Sequence, residues 1–326
     1  MLMAYRTDGR GLQALTIPGS RLEDRDAPVP ALPDDAIWID LYRPLDRQVE
    51  AVRALGIEVP TLEEMEEIEI SSRLYRVDTA DYMTVILPGQ SDGQERVSGP
   101  VTFILTAERL VTVRHHAPRS FQTFANRPER AVADCTSPER VFVSLLDEII
   151  ARLADLLEGA GEVLDANARD VFGEAEIEPE DLQAALKKVG RQGELIGQVR
   201  LALLSLERAL IFFGNTKRES TVRDLTKGLI RDVKALAVHS DYLSSRIGLT
   251  VDATLGMINL EQNATARILS VVAVLFLPPT LVASIFGMNF THMDILDWPL
   301  GFPGSLFVML VSAVGTYVVF KWKNWL

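Results

Sequence analysis

Two long runs without charge mark the C-terminal end of the chain. Residues 268–286 and 302–320 contain no Asp, Glu, Lys or Arg. Each run of about 19 residues is near the lower limit for a helix that crosses a bilayer core. Because only a short loop around 291–301 separates the runs, we expect two membrane-spanning helices joined as a hairpin.

Short β-branched and aromatic runs alternate with helical patterns over the first third of the chain. Strands are predicted at 37–39, 82–87, 101–105 and 110–113, and the last two are expected to pair as a hairpin. Helices are predicted at 46–55 and 61–68, the second beginning at the Pro60-Thr61 start signal. This pattern predicts an α/β domain at about 1–135.

The period becomes helical after this domain. Ser137 is a favourable N-cap and Pro138 a favourable first helical residue. A second helix is predicted at 179–213, with Gly214-Asn215 as its C-cap. The predicted segments are therefore an α/β domain at 1–135, a helical region with a stalk at 136–266, and a two-helix membrane domain at 267–326.

The stalk is expected to be one very long helix. No proline occurs between Ser220 and Pro278, and no strong turn cluster interrupts this stretch. Two helices with an ordinary break are the alternative. A single helix of this length needs neighbours along its whole length, so it indicates a bundle or a coiled oligomer.

Composition limits the classes of partner and compartment. The 326 residues carry a formal net charge of −12, which argues against a nucleic-acid partner. The single cysteine, Cys135, excludes an intrachain disulfide and suits a reducing compartment. The N-terminal residues show no signal-peptide pattern.

Basic residues predict the orientation in the membrane. Arg267 precedes the first uncharged run, and Lys321 and Lys323 follow the second, whereas the loop contains Asp294 and Asp297 but no Lys or Arg. The positive-inside rule therefore places both termini in the cytoplasm. We expect a multi-pass protein of the inner membrane.

One face of the first span mixes small, hydroxylic and leucine side chains. Two spans cannot enclose a water-filled path, so a pore would need several copies, each supplying one helix. The face is equally compatible with a helix–helix packing seam. Its positions recur every three or four residues: Asn263, Ala266, Leu269, Ala273, Leu277, Thr280, Ser284 and Gly287.

Several segments together resemble the CorA family of magnesium transporters. The first span contains Leu275-Phe276-Leu277-Pro278-Pro279-Thr280-Leu281 and is followed by Gly287-Met288-Asn289-Phe290. Gly301-Phe302-Pro303 resembles the start of the family's second span, and the basic end beginning at Lys321 is similar to its tail. The acidic segment at 60–69, followed by Ser71-Ser72-Arg73-Leu74-Tyr75, also resembles a CorA segment.

The resemblance implies a funnel-shaped homopentamer with long stalk helices and two transmembrane helices per subunit. Asn289 would form the outer selectivity ring, with Gly287 and Met288 shaping its turn. The first-span face would line the conduit, with Leu269 and Leu277 as constrictions that close by dewetting. Mg²⁺ gives up its waters reluctantly, so a carboxamide ring would bind the hydrated ion. Mg²⁺ is thus the expected cargo, with Co²⁺ and Ni²⁺ as further cargoes and no organic cofactor.

The loop departs from the family's pattern. The magnesium branch usually has Met-Pro-Glu-Leu there, whereas this chain has Ile295 at the usual glutamate position. Asp294 and Asp297 either concentrate cations at the mouth or simply solvate the loop.

A zinc transporter of the ZntB branch is the alternative within the family. That branch normally varies the Gly-Met-Asn tripeptide, which is intact here. Zn²⁺ favours imidazole or thiolate ligands, and the first-span face contains neither. The adjacent His115 and His116 are expected on a strand, pointing to opposite faces, as structural or surface residues.

Two acidic residues of the stalk are candidates for a regulatory metal site. The family senses cytoplasmic Mg²⁺ through carboxylates between subunits, and Asp224 and Asp252 resemble these acids; solvated stalk charges are the alternative for each. No nucleotide-binding loop or catalytic triad is visible, so an enzyme is not expected. A poorly conducting membrane-anchored scaffold remains the alternative from a different class.

Overall fold

The computed structural model describes residues 1–8, 11–20, 28–91, 93–126, 131–173, 179–288 and 300–323. The chain divides into two compact units, Met1–Ala175 with Ala184–Val251 and Glu176–Gln183 with Asp252–Leu326. The first unit contains a mixed sheet and helices. The second contains the C-terminal part of the longest helix and the last helix.

Seven strands form one sheet in the first unit. They are β1 (Leu2–Thr7), β2 (Leu12–Leu15), β3 (Trp38–Tyr42), β4 (Leu74–Val77), β5 (Ala80–Gln90), β6 (Arg96–Leu105) and β7 (Leu110–Arg114). Their order is β2-β1-β3-β7-β6-β5-β4, and β3–β7 is a parallel pair among antiparallel ones. The four predicted strands and the β6–β7 hairpin are confirmed, whereas β1, β2 and β4 were not predicted.

Eight helices are present in the described residues. They are α1 (Asp46–Arg53), α2 (Leu62–Glu66), α3 (Ile70–Arg73), α4 (Arg119–Asn126), α5 (Pro138–Phe172), α6 (Pro179–Gly214), α7 (Ser220–Phe286) and α8 (Gly301–Trp322). The prediction of one uninterrupted stalk helix is confirmed by α7. The helix predicted at 61–68 is wrong in its end, since α2 stops at Glu66, and α4 was not predicted.

Side-chain caps explain two of the helix starts. The Thr61 hydroxyl accepts a hydrogen bond from the Glu64 N–H at 3.3 Å, and the Glu64 carboxylate accepts one from the Thr61 N–H at 2.8 Å. This reciprocal pair is a capping box. Ser137 caps α5 by accepting from the Arg140 N–H at 3.3 Å, and Pro138 follows as the first helical residue, as predicted.

The sheet buries both faces because its strands alternate apolar residues between two sides. On one side Met83, Val85 and Phe103 belong to the same buried core as Val141 and Leu145 of α5. On the other side Tyr82, Ile104 and Val111 share a second core with Val52 of α1 and Met65 of α2. The alternation of period two therefore supports a three-layer arrangement.

The first-unit parts of α5, α6 and α7 pack lengthwise around buried aliphatic residues. Three ion pairs among the described residues join these helices outside the core: Arg200 Nε is 2.7 Å from Asp241 Oδ1, Lys234 Nζ is 3.7 Å from Glu207 Oε1, and Arg246 pairs with Asp165. These pairs are at least partly exposed, so apolar burial contributes most of the helix association.

Candidate cation pathway

Two helices in the second unit are long and apolar enough to cross a membrane. They are the C-terminal part of α7 and the whole of α8. Almost no side chain in their apolar windows is buried in the single chain. Such a surface is stable in a hydrocarbon environment or against another apolar surface, and not in water.

The predicted pore-lining face of α7 is uncovered in the single chain. Leu269 and Leu277 expose 66% and 67% of their surface. All eight positions of the face are exposed: Asn263, Ala266, Leu269, Ala273, Leu277, Thr280, Ser284 and Gly287.

The opposite face of the same segment is partly covered. Its positions are Val271, Leu275, Pro278, Val282 and Phe286, which recur at intervals of three and four residues. A helix of 3.6 residues per turn puts them about half a turn from the predicted pore-lining face. The single chain therefore partly covers one side of the segment and leaves the small, hydroxylic face available, together with bulky neighbours such as Phe276 and Leu281.

Small residues produce a shallow groove on the uncovered face. Ala273, Leu277, Thr280 and Ser284 line it, and Phe276 and Leu281 flank it. The Thr280 hydroxyl donates to the Phe276 carbonyl at 2.7 Å. Its oxygen lone pairs remain able to accept hydrogen bonds from water, which suits contact with a hydrated cation.

Pro278 and Pro279 lie inside α7. Neither has an N–H group, so the carbonyls of Val274 and Leu275 lose the helical donor four residues later. Pro278 belongs to the partly covered face.

The motif after the first span begins where α7 ends. The Gly287 N–H donates to the Ala283 carbonyl at 2.9 Å and the Met288 N–H to the Ile285 carbonyl at 3.3 Å, so the helix closes with its last turn at these residues. A side chain on Gly287 would place its Cβ 3.2 Å from the Ala283 oxygen, which favours glycine here. Asn289, Asp294 and Asp297 lie outside the described residues.

The two predicted regulatory acids lie on the surface of α7. Asp224 Oδ1 is 3.3 Å from Lys227 Nζ, a pair one helical turn apart, and Asp252 is exposed. Among the described residues no group of three or more His, Cys, Asp or Glu side chains could hold a metal ion. The regulatory role of these acids stays a prediction.

The structure brings together two acids, Asp147 and Asp232, that the sequence did not indicate as neighbours. Burial, and then the negative charge of Asp232, raises the pKa of Asp147 on α5 above its usual range. The available signal was an acid next to the apolar face of a long helix, although the approach of Asp232 depends on tertiary packing.

The two adjacent histidines have structural surroundings. They lie one and two residues beyond the end of β7 at Arg114, so the prediction that they are on a strand is wrong. His116 is buried, with Nε2 2.8 Å from the Leu87 carbonyl oxygen, and burial lowers its pKa to about 4. Burial also lowers the pKa of the half-buried His115.

Comparisons with known proteins agree over nearly the whole chain. The profile of the family described as "CorA-like Mg2+ transporter protein" matches residues 33–322. The magnesium transport protein CorA of Yersinia pseudotuberculosis is 31% identical over 293 residues, which is 89% of this chain and 92% of the relative. That of Salmonella typhimurium is 32% identical over 295 residues, covering 90% and 92% respectively.

Solved structures share the fold. The complete CorA magnesium transporter from Methanocaldococcus jannaschii has a TM-score of 0.73 at 17% identity, covering 100% of this chain and 99% of that one. The full-length CmaX protein has a TM-score of 0.64 at 18% identity, covering 99% and 97%. At these identities the likeness concerns the fold alone.

Proposed function

Because this chain belongs to the CorA-like Mg²⁺ transporter family and transports divalent cations, we propose that the ions pass through a central pore shared by five copies. The main support for a shared pore is the uncovered small, hydroxylic face of α7 in the second unit. Hydroxyl groups facing hydrocarbon would be costly, whereas the same groups around a shared axis would face water. The packing-seam alternative would place this face against one neighbouring helix.

The stalk supports self-association by a separate observation. In the first unit α7 leaves Val238, Tyr242 and Leu249 exposed, Leu249 at 71% of its surface. Their spacings of four and seven residues put them on one side of the helix. Large apolar residues repeated on one side of a long helix favour contact with a second copy of that helix.

We assign selectivity to the end of the first span. Asn289, repeated around the axis, would present carboxamide oxygens to the hydrated ion, and Gly287 and Met288 would shape the turn that carries it. Neutral oxygens bind the water shell without holding the ion too tightly for release. Asp294 and Asp297 would raise the cation concentration at the mouth.

Mg²⁺ is the proposed cargo, with Co²⁺ and Ni²⁺ as further cargoes. Hard, strongly hydrated ions suit the hydroxyl and amide groups of the pathway, whereas Zn²⁺ would favour imidazole or thiolate. The proposed pore-lining residues contain neither group. We assign the chain no enzymatic activity and no organic cofactor.

A pore along α7 also implies which segments lie in the cytoplasm and which lie in the membrane. The α/β domain (1–135) and the helical region with its stalk (136–266) would lie in the cytoplasm, and residues 267–326 would form the membrane domain with both termini inside. Asp224 and Asp252 would act as regulatory Mg²⁺ ligands between subunits. The Lys227 ammonium beside Asp224 would have to release its partner when the ion binds.

A flux assay separates the proposed transporter from a scaffold. Purified protein is reconstituted in liposomes, and entry of Mg²⁺, Co²⁺, Ni²⁺ and Zn²⁺ is followed with indicator dyes. We expect Mg²⁺ entry above that of empty liposomes. Absence of all four fluxes would favour the scaffold, and Zn²⁺ entry driven by a proton gradient without Mg²⁺ entry would favour the ZntB-like alternative.

A further inference from the structure

The first unit contains a positively lined cavity. Its volume is about 260 Å³, and it lies among the end of the β5–β6 hairpin, the start of α4, α5 and α6. Arg96, Arg119 and Arg152 line it, and its described lining contains no Asp or Glu. In a chain with a net charge of −12, this is a local reversal of charge that would attract an anion.

The guanidinium groups are available to a ligand. Arg152 pairs with Asp155, with Nη1 3.6 Å from Oδ2, and the side chains of this pair are 36% and 65% exposed. An exposed ion pair of this length competes weakly with a ligand. Within the described part of the chain, Arg96 and Arg119 have no carboxylate within salt-bridge distance. Arginine binds phosphate through two parallel N–H donors.

The start of α4 adds donors at the same place. Arg119 is the first residue of this eight-residue helix, and the buried Ser120 is the second; both line the cavity. The first N–H groups of a helix have no acceptor within the helix, and the helix dipole favours an anion there. The first residues of α4 and the arginine side chains thus border one cavity.

The rest of the lining is aliphatic. Leu87 of β5, Ile149, Leu153 and Leu156 of α5, and Leu195 of α6 contribute to the cavity. Apolar surface of this kind gains free energy when an apolar group displaces water from it. A bare inorganic anion would leave that surface unused, so the lining fits a ligand with an anionic end and an apolar body.

The wall between β5 and α4 is held in place by hydrogen bonds. The Gln90 N–H donates to the Ala117 carbonyl at 3.1 Å, and the Ala117 N–H donates to the Gln90 carbonyl at 3.0 Å. His116 Nε2 lies 2.8 Å from the Leu87 oxygen beside this bridge. A wall fixed before binding lowers the ordering cost of a ligand.

We propose that this cavity binds a small organic phosphate, a phosphate monoester on a compact apolar body. The phosphate would contact the arginines and the start of α4, and the body would lie against the aliphatic side chains. Because the described lining offers cation-repelling arginines, this site is distinct from the proposed cation pathway. The proposal therefore holds or fails independently of the transport mechanism.

Isothermal titration of the full-length protein in nanodiscs with phenyl phosphate tests this site. We expect saturable binding, and at least about tenfold weaker binding for Arg119→Gln and for Arg152→Gln, the loss expected for one charge-assisted hydrogen bond. Arg53→Gln changes an exposed arginine on α1, outside the cavity, and should bind like the wild type. Circular dichroism confirms that each variant is folded.

Three further probes separate the parts of the proposal. Benzyl alcohol lacks the anion and inorganic phosphate lacks the body, so both should bind at least about tenfold more weakly than phenyl phosphate. AMP that competes with phenyl phosphate would identify a nucleotide source, and AMP that does not compete would identify another phosphate monoester. No binding of phenyl phosphate, equal binding of either partial probe, or unchanged binding by both cavity variants would overturn the proposal.

Discussion

The imidazole of His116 lies in the space that a side chain on Gly89 would need. A Cβ at Gly89 would be 2.5 Å from His116 Cδ2, and also 2.8 Å from the Pro118 nitrogen and 2.9 Å from the Ala117 carbonyl carbon. Two of these neighbours are backbone atoms, which cannot rotate away. The close approach of β5 to the segment after β7 therefore depends on glycine at this position.

Gly89→Ala should destabilise the protein by about 1–3 kcal/mol, the usual cost of overpacking a tight site. Unfolding of the full-length protein by urea, followed by circular dichroism, measures this change. Gly159→Ala is the matched control, because a Cβ there meets nothing within 4 Å and alanine is the better helix former. Equal stability of Gly89→Ala and wild type would contradict the described packing.

Stability should fall as the pH decreases through the range set by His116. Burial holds its folded pKa near 4, below the ordinary value of 6.5. The unfolded chain therefore binds a proton first, so the contribution is complete above pH 6.5 and is lost progressively between pH 6.5 and about 4. The lowered pKa of His115 acts in the same direction.

The pH effect is measured by comparing denaturation midpoints of wild type and His116→Gln between pH 7 and 5.5. The wild type should lose stability over this interval, and the variant should lose less. His115→Gln serves as the control for the neighbouring histidine. Parallel pH curves for wild type and His116→Gln would show that the buried imidazole does not control this dependence.

Leu249→Asp should dissociate the oligomer. The side chain is exposed in the single chain, and a carboxylate repeated around a helix contact would be desolvated and repelled by its copies. Light scattering after gel filtration gives the mass of the assembly. Leu201→Asp is the control, since Leu201 is an exposed leucine of α6, at 47% of its surface, outside the proposed contact. An unchanged mass for Leu249→Asp would exclude this face from assembly.

Leu277→Ser should increase Mg²⁺ leak under conditions that close the wild-type pore. A ring of leucines closes a narrow path by excluding water, and a hydroxyl at each position would rehydrate it. Leu310→Ser places the same change on α8, outside the proposed path, and should leave the leak near the wild-type level. Equal leak through both variants would place the constriction elsewhere.

Local signals accounted for the long elements. Thr61 and Ser137 marked helix starts, and the absence of proline from Ser220 to Pro278 indicated one continuous helix. The shorter elements lacked such signals. Strand β2 has only four residues, and α4, with eight, is too short to establish a helical period.

The candidate sites differ in how far the sequence alone could predict them. Spacing alone identified the α7 face that contains Ala273 and Thr280, but could not tell a lumen from a packing seam, and the structure adds that the single chain leaves this face uncovered. The arginine-lined cavity could not be predicted, because Arg96, Arg119 and Arg152 meet only through the packing of a hairpin against three helices. The selectivity ring at Asn289 stays a prediction.

Single-cysteine modification distinguishes a face of α7 that lines a water-filled pore from one that packs against a helix. The native Cys135 is buried and its pKa is raised to about 11, so it contributes little background reactivity. Ala273→Cys, Thr280→Cys and Ser284→Cys probe the proposed lumen with little change in volume. Val271→Cys and Val282→Cys probe the opposite, partly covered face.

The measurement is Mg²⁺ flux into liposomes before and after treatment with a positively charged, membrane-impermeant thiol reagent. The reagent should modify the cysteines of the Ala273, Thr280 and Ser284 variants and block their Mg²⁺ flux, and it should leave the Val271 and Val282 variants unblocked. Block confined to the Val271 and Val282 variants, or flux unaffected at all five positions, would contradict a pore along this face.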